Sequence, residues 1–150
     1  MKNNFTNKKR LIVGIDLDNT IINYTDLIYT IAREQDLIPE NFPRQKKVIR
    51  DYIVALPNGE VEWQNIQTIM YGQRIREATL MEGIDEFLER CKAQGFLVNI
   101  VSHKTKHSNL RRGGPNLQQA ARQWLQEQDF FTRFGINSEQ IYFESSREDK

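Results

Sequence analysis

The chain has 150 residues, 39% of them hydrophobic and 27% charged, with a formal net charge of +1. That length fits one domain, and so small a net charge gives no bulk electrostatic pull toward nucleic acid or a membrane surface. The single cysteine excludes an intrachain disulfide. With no apolar run of membrane-spanning length and no cleavable leader pattern, a cytoplasmic setting is the expectation.

Residues 1–10 are polar, with Lys2, Lys8, Lys9 and Arg10, and read as a solvated terminus. Leu11-Ile12-Val13-Gly14-Ile15 then forms an apolar, β-branched run. This composition predicts a buried strand of a parallel sheet, covered on both faces. The run stops at Asp16-Leu17-Asp18-Asn19-Thr20. In open α/β sheets ligands bind beyond the carboxyl ends of the strands, so the strand delivers two carboxylates where such folds do chemistry. A turn starting at Asp18-Asn19 is expected to swing the second carboxylate back towards the first.

A helical stretch follows. Asn23 or Thr25 can cap a helix reaching about Gln35, with Leu27, Ile28, Ile31 and Ala32 on one face. Pro43 opens a second helix that carries Val48, Ile49, Tyr52, Ile53 and Leu56 at helical spacing. Pro57-Asn58-Gly59 marks a turn, and a third helix is predicted from about Glu60 to Arg76, with Val61, Ile66, Ile69 and Met70 inward. Phe42, Tyr52, Trp63 and Tyr71 read as this unit's own small core rather than as substrate contacts. Arg74 and Arg76 read as solvated surface charges.

A fourth helix spans about Ile84 to Gln94, with Ile84, Phe87, Leu88 and Cys91 on its apolar stripe, which makes Cys91 a packed, inert thiol. Phe96 to Ser102 is a second apolar strand, and the strand–helix–strand order makes it parallel to the first, so that Ser102 ends beside Asp16. His103-Lys104-Thr105-Lys106-His107 and Arg111-Arg112 crowd cations just after it. They read equally as an attraction for a phosphorylated substrate and as a mobile solvated loop. His103 and His107 have no third soft ligand nearby, which argues against zinc. Asn116 caps a fifth helix bearing Leu117, Ala120, Ala121, Trp124 and Leu125; Phe130 to Ile136 is an apolar loop. Ile141-Tyr142-Phe143 is a third strand, and Glu144 to Lys150 reads as the approach to a further helix.

Asp16-Leu17-Asp18-Asn19-Thr20 after an apolar strand resembles the first motif (Asp-x-Asp-x-Thr) of the haloacid dehalogenase superfamily, most of whose members are phosphatases. Ser102 matches the second motif, a strand ending in Ser or Thr. The resemblance implies an α/β fold: a Rossmann-like parallel sheet with flanking helices at 1–21 and 80–150, and a small helical cap at 22–79. It implies a magnesium-dependent phosphatase acting on a small phosphorylated substrate. Asp16 would be the nucleophile and Asp18 the general acid and base, and both would ligate the metal, Asp18 through its backbone carbonyl. Thr20 would steady the loop, and Ser102, Lys150 and Asn19 would bind the phosphoryl group. His103 and Lys104 are candidates for substrate contact. Lys150 is the best match to the third-motif lysine, with Arg147 the weaker one. The family's fourth motif, a later strand ending in acidic residues, finds no match. The core is therefore expected to be incomplete at its C-terminus, the chain to be a fragment, and the Asp16 strand to be an apolar edge open to self-association. The alternative expectation is a phosphate-binding or regulatory module without turnover. Neither a nucleic-acid nor a membrane partner is expected.

Overall fold

In the computed structural model, which describes residues 9–108 and 114–144, the apolar run after Arg10 forms β1 (Ile12–Ile15). It pairs in parallel with β4 (Leu97–Ser102), Ile12 opposite Leu97 and Ile15 opposite Ile100. On its other side β4 pairs in parallel with β5 (Ile141–Phe143), which places β4 in the middle of a three-stranded sheet. The fold is therefore mixed α/β around a parallel sheet. The connection from β1 to β4 passes through helices, as a parallel pair requires.

Burial follows position in that order. Along β4, Val98, Ile100 and Ser102 are buried while their neighbours are more open, the period of two that a pleated strand imposes. The expectation that the first strand is covered on both faces does not hold. Ile12 remains 65% exposed, and a Cβ built on Gly14 would meet nothing within 4 Å. One face of β1 is open and the other half-buried, and among the described residues the strand also has a strand partner on one side only.

The chain then turns through Leu17 to β2 (Ile22–Asn23), which pairs antiparallel with β3 (Thr79–Leu80), Ile22 opposite Leu80. This short ladder, unseen in the sequence, brings together the two ends of the helical stretch. Between them lie α1 (Thr25–Glu34), α2 (Lys46–Val54) and α3 (Gly59–Thr68). The predicted stripe of α1 is buried as a block: Leu27, Ile28, Ile31 and Ala32. In α2 only Ile49 and Ile53 go inside; the helix starts after Pro43 rather than at it, and Val48 and Tyr52 face outward.

The third helix is shorter than its hydrophobic pattern suggests. It gives way at Thr68 to a π-helical turn, Ile69–Gln73, and then to a 3₁₀ turn, Ile75–Glu77. Gly72 in the π turn lies so close to Pro115 that an added Cβ would sit 2.8 Å from Pro115 Cγ. Only a residue without a side chain allows that approach.

Then α4 (Ile84–Ala93) packs on β4, and α5 (Leu117–Glu127) packs on the π-helical and 3₁₀ turns. Asn116 caps α5 as predicted, its Oδ1 accepting the Gln119 N–H at 3.1 Å. The indole of the buried Trp124 donates to the Ala78 carbonyl at 3.2 Å, which ties α5 to the end of the helical stretch. Phe130 to Phe134, read as a loop, is a short helix, α6 (Phe130–Phe134), with Phe130 and Phe134 buried and stacked edge to face. One apolar cluster runs from the loop after β1 through the three inserted helices to α5, α6 and β5.

Candidate functional site

The site grows out of the residues that follow β1. Asp16 is the first of them and is exposed; its Oδ1 accepts the N–H of Leu17 at 2.7 Å, which leaves the other carboxylate oxygen open. Leu17 is fully buried, and its carbonyl collects three N–H groups, from Thr20, Ile21 and Ile22. That knot forces the chain back on itself. Asn19 takes the left-handed conformation at φ 61°, which Asn tolerates better than most residues. Its N–H closes the turn on the Ile22 carbonyl at 2.9 Å. Thr20 is exposed and joins the turn through its backbone.

The knot delivers Asp18 inward. One carboxylate oxygen, Oδ1, accepts the Tyr24 hydroxyl at 2.6 Å, and the other, Oδ2, lies 2.8 Å from the Lys104 ammonium. Tyr24 is fully buried at the start of α1, and the Lys104 side chain is 2% exposed. The Lys104 ammonium also sits 3.9 Å above the centroid of the Tyr71 ring, a cation–π contact with its face. Tyr71 meets Tyr24 edge to face at 5.1 Å. Tyr24 and Tyr71 both come from the helical stretch, so Asp18 and Lys104 are enclosed by it.

Electrostatics follow from this enclosure. Burial pushes the Tyr24 phenol far above its ordinary value, and the charge of Asp18 and the bond to it push it further. Tyr71 is raised in the same way, burial first. Burial pulls the Lys104 ammonium down, and Asp18 opposes that pull. Lys46, the first residue of α2, is half-buried near the same charges: burial lowers it, Asp18 raises it and Lys104 lowers it.

Ser102 is the last residue of β4 and is buried at 2% exposure. Because β1 and β4 run parallel with Ile15 opposite Ile100, Asp16 and Ser102 lie at the same edge of the sheet. His103 is exposed, while Lys104 turns back onto Asp18. The basic loop therefore splits: one lysine is inside, and Lys106 and His107 are outside. Lys150, Arg147, Arg111 and Arg112 lie outside the described residues. Of the aromatics assigned to a small core, Phe42 and Tyr52 do pair at 4.8 Å and Trp63 is buried, but Tyr71 belongs to the site. Arg74, read as solvated, is held by Glu34 and by Glu77, 2.7 Å away.

Sequence reasoning missed Tyr24, Tyr71 and Lys46. Tyr24 carried a faint signal, a phenol placed at a helix start just after the two aspartates. Lys46 carried none.

Among the described residues no three His, Cys, Asp or Glu side chains gather at a metal position. The donors near the turn are the open Asp16 carboxylate and the backbone carbonyl of Asp18. These are hard oxygen ligands. Oxygen ligands of this kind could hold a hard cation such as magnesium. Beside the site, a cleft between α3, the π turn and the segment after β4 is lined by Gln64, Gln67, Thr68, Tyr71, Thr105 and Ser108. Thr68 Oγ1 and Ser108 Oγ lie 2.6 Å apart across it.

No protein family and no curated protein matches the chain by sequence. A crystal structure of a haloacid dehalogenase-like family hydrolase from Xanthomonas campestris is similar to it at a TM-score of 0.44 and 11% sequence identity. The similarity covers 90% of this chain and 62% of that one. No helix among the described residues is long and apolar enough to cross a membrane.

Proposed function

We propose that the chain is a phosphoester hydrolase of the haloacid dehalogenase type, acting on a small phosphorylated substrate through an aspartyl-phosphate. The observation that carries this reading is the pair Asp16 and Asp18 at the carboxyl end of β1, with Ser102 at the same end of the neighbouring strand. In this reading the open oxygen of Asp16 attacks phosphorus and the ester P–O bond breaks, which divides one difficult step into two easier ones. Asp18 acts from its acid form, reached by taking up a proton before the step, and gives that proton to the departing alkoxide. It then takes a proton from the water that attacks the aspartyl-phosphate, and inorganic phosphate and free Asp16 result. Ser102 and the backbone around Asn19 hold phosphoryl oxygens, and Thr20 steadies the turn. Asp16 and the Asp18 carbonyl would hold magnesium, whose charge would offset that of the phosphoryl oxygens. The helices within 22–79 act as a cap that limits access to small substrates. His103, exposed beside Ser102, is in reach of a bound substrate's outer part.

The test is magnesium-dependent hydrolysis of an aryl phosphate by the chain and by Asp16→Asn. Turnover that the substitution abolishes supports the reading. Phosphate binding without turnover in either protein overturns it, in favour of a phosphate-binding module.

A further inference from the structure

The face that α3 turns toward the segment after β4 is polar. Gln64, Gln67, Thr68 and Tyr71 recur at i, i+3, i+4 and i+7, which places them on one face of the helix and of the π turn that continues it. The neighbouring stripe, Trp63, Ile66 and Met70, is buried and gives the helix its core contact. The polar stripe is not on the solvated side either: Thr68 is buried, and Gln64, Gln67 and Tyr71 are half-buried. A helix face turned inward in this way is ordinarily apolar. Here it walls a cleft of about 220 Å³, lined on the far side by Thr105 and Ser108.

The lining selects a kind of ligand. None of the described residues that line the cleft carries a charge, although Lys106 and His107 follow Thr105 directly. The cleft therefore offers no counter-ion to a carboxylate, an amine or a second phosphate. Its polar groups are amides and hydroxyls, each able both to donate and to accept. A hydroxyl group on a ligand has the same double capacity, so several hydroxyls on one carbon frame match this wall. The Tyr71 ring is not free to stack on a flat base, because the Lys104 ammonium lies 3.9 Å from its centroid and Tyr24 meets it edge to face. The wall is also held in shape: Thr68 Oγ1 donates to the Gln64 carbonyl at 2.9 Å and meets Ser108 Oγ at 2.6 Å. Pockets for drug-sized ligands run to roughly 300–1,000 Å³, so this cleft suits something smaller. It adjoins the aspartates through Tyr71, which stands both in its wall and over Lys104, the partner of Asp18.

We propose that this cleft receives an uncharged, polyhydroxylated leaving group, so that the substrate is a sugar or polyol monophosphate, and that Gln64 and Gln67 select it. The inference rests on the phosphoester reading for the reacting group, and it adds the part of the substrate that departs.

The experiment is calorimetric titration of Asp16→Asn, with magnesium, by glucose 6-phosphate, ribose 5-phosphate and phenyl phosphate. The titrations are repeated with Gln64→Met or Gln67→Met added, and folding of every variant is checked by circular dichroism. At least one sugar phosphate binds more tightly than phenyl phosphate. Each methionine weakens that sugar phosphate about three- to tenfold more than it weakens phenyl phosphate, the factor that one neutral hydrogen bond represents. Sugar phosphates bound no more tightly than phenyl phosphate overturn the proposal, and this comparison decides even where a methionine variant fails to fold. Equal weakening of all three ligands overturns it too. Turnover by the unsubstituted chain is scored separately. Glutamine-dependent preference for a sugar phosphate without turnover upholds this inference and removes the hydrolase reading. Aryl-phosphate turnover with no preference for sugar phosphates removes this inference and leaves the hydrolase reading standing.

Discussion

β1 and the loop that follows it are neighbours in sequence and opposites in packing. Leu11 and Ile12 are 61% and 65% exposed, whereas Leu17, Ile21, Ile22 and Tyr24 are all at 0%. The strand leans on one partner, β4; the loop is wrapped by the helical stretch that it introduces. The two aspartates fall on the boundary between these regimes. Asp16 is open to solvent, and Asp18 is held from both sides by Tyr24 and Lys104. An open carboxylate and an enclosed one are thus separated by one buried leucine.

Substitutions can break or sharpen that contrast. The largest effect is expected at Leu17, whose side chain is fully enclosed while its carbonyl ties the turn. Leu17→Ala should cost about 2–5 kcal/mol in urea denaturation, the range for emptying a buried leucine site. Tyr24→Phe keeps the ring and removes the hydroxyl on Asp18, at a cost of about 1.5–3 kcal/mol near pH 7.

The same residue sets a pH dependence. The folded Tyr24 holds its proton well above the ordinary 10.0, and so does Tyr71. Above that pH the unfolded chain releases phenolic protons that the folded chain keeps. Their contribution is therefore complete below pH 10 and is lost as pH rises. Urea midpoints measured on either side of pH 10 should fall in the parent and fall less in Tyr24→Phe; equal slopes would contradict the burial of this phenol.

A smaller loss is expected at Gly72. The methyl of Gly72→Ala must push Pro115 aside, at about 1–3 kcal/mol, and the displaced π turn loosens Tyr71 from Lys104. The smallest effect is expected at Ile12. Ile12→Ser should change stability by less than about 0.5 kcal/mol in the same denaturation assay, although it lies in the strand that the sequence presents as core. A cost like that of Leu17→Ala would show that something covers this edge in solution.

Much of the fold was readable because periodicity reports which face of an element is inside. The buried stripe of α1, the cap at Asn116 and the strand Ile141–Phe143 all follow from local pattern. Local pattern does not report what packs on each face of a strand, and so an apolar run was taken for a doubly covered strand. Two-residue strands such as Ile22–Asn23 carry no pattern to read. The π turn at Ile69–Gln73 depends on how closely Gly72 can approach Pro115, a contact between distant parts of the chain. The site divides in the same way. Asp16, Asp18 and Ser102 announce themselves by position at strand ends. The enclosure of Asp18 by Tyr24, Tyr71 and Lys104 exists only once helices and sheet are packed together.

The central claim is that Asp16 becomes covalently phosphorylated, and it is tested most directly by acid-quenching the chain during reaction with an aryl phosphate and magnesium, then mapping the peptides by mass spectrometry. The account predicts a phosphoryl adduct on the peptide that contains Asp16, absent from Asp16→Asn. Turnover that proceeds with no adduct, or that survives Asp16→Asn, would contradict it.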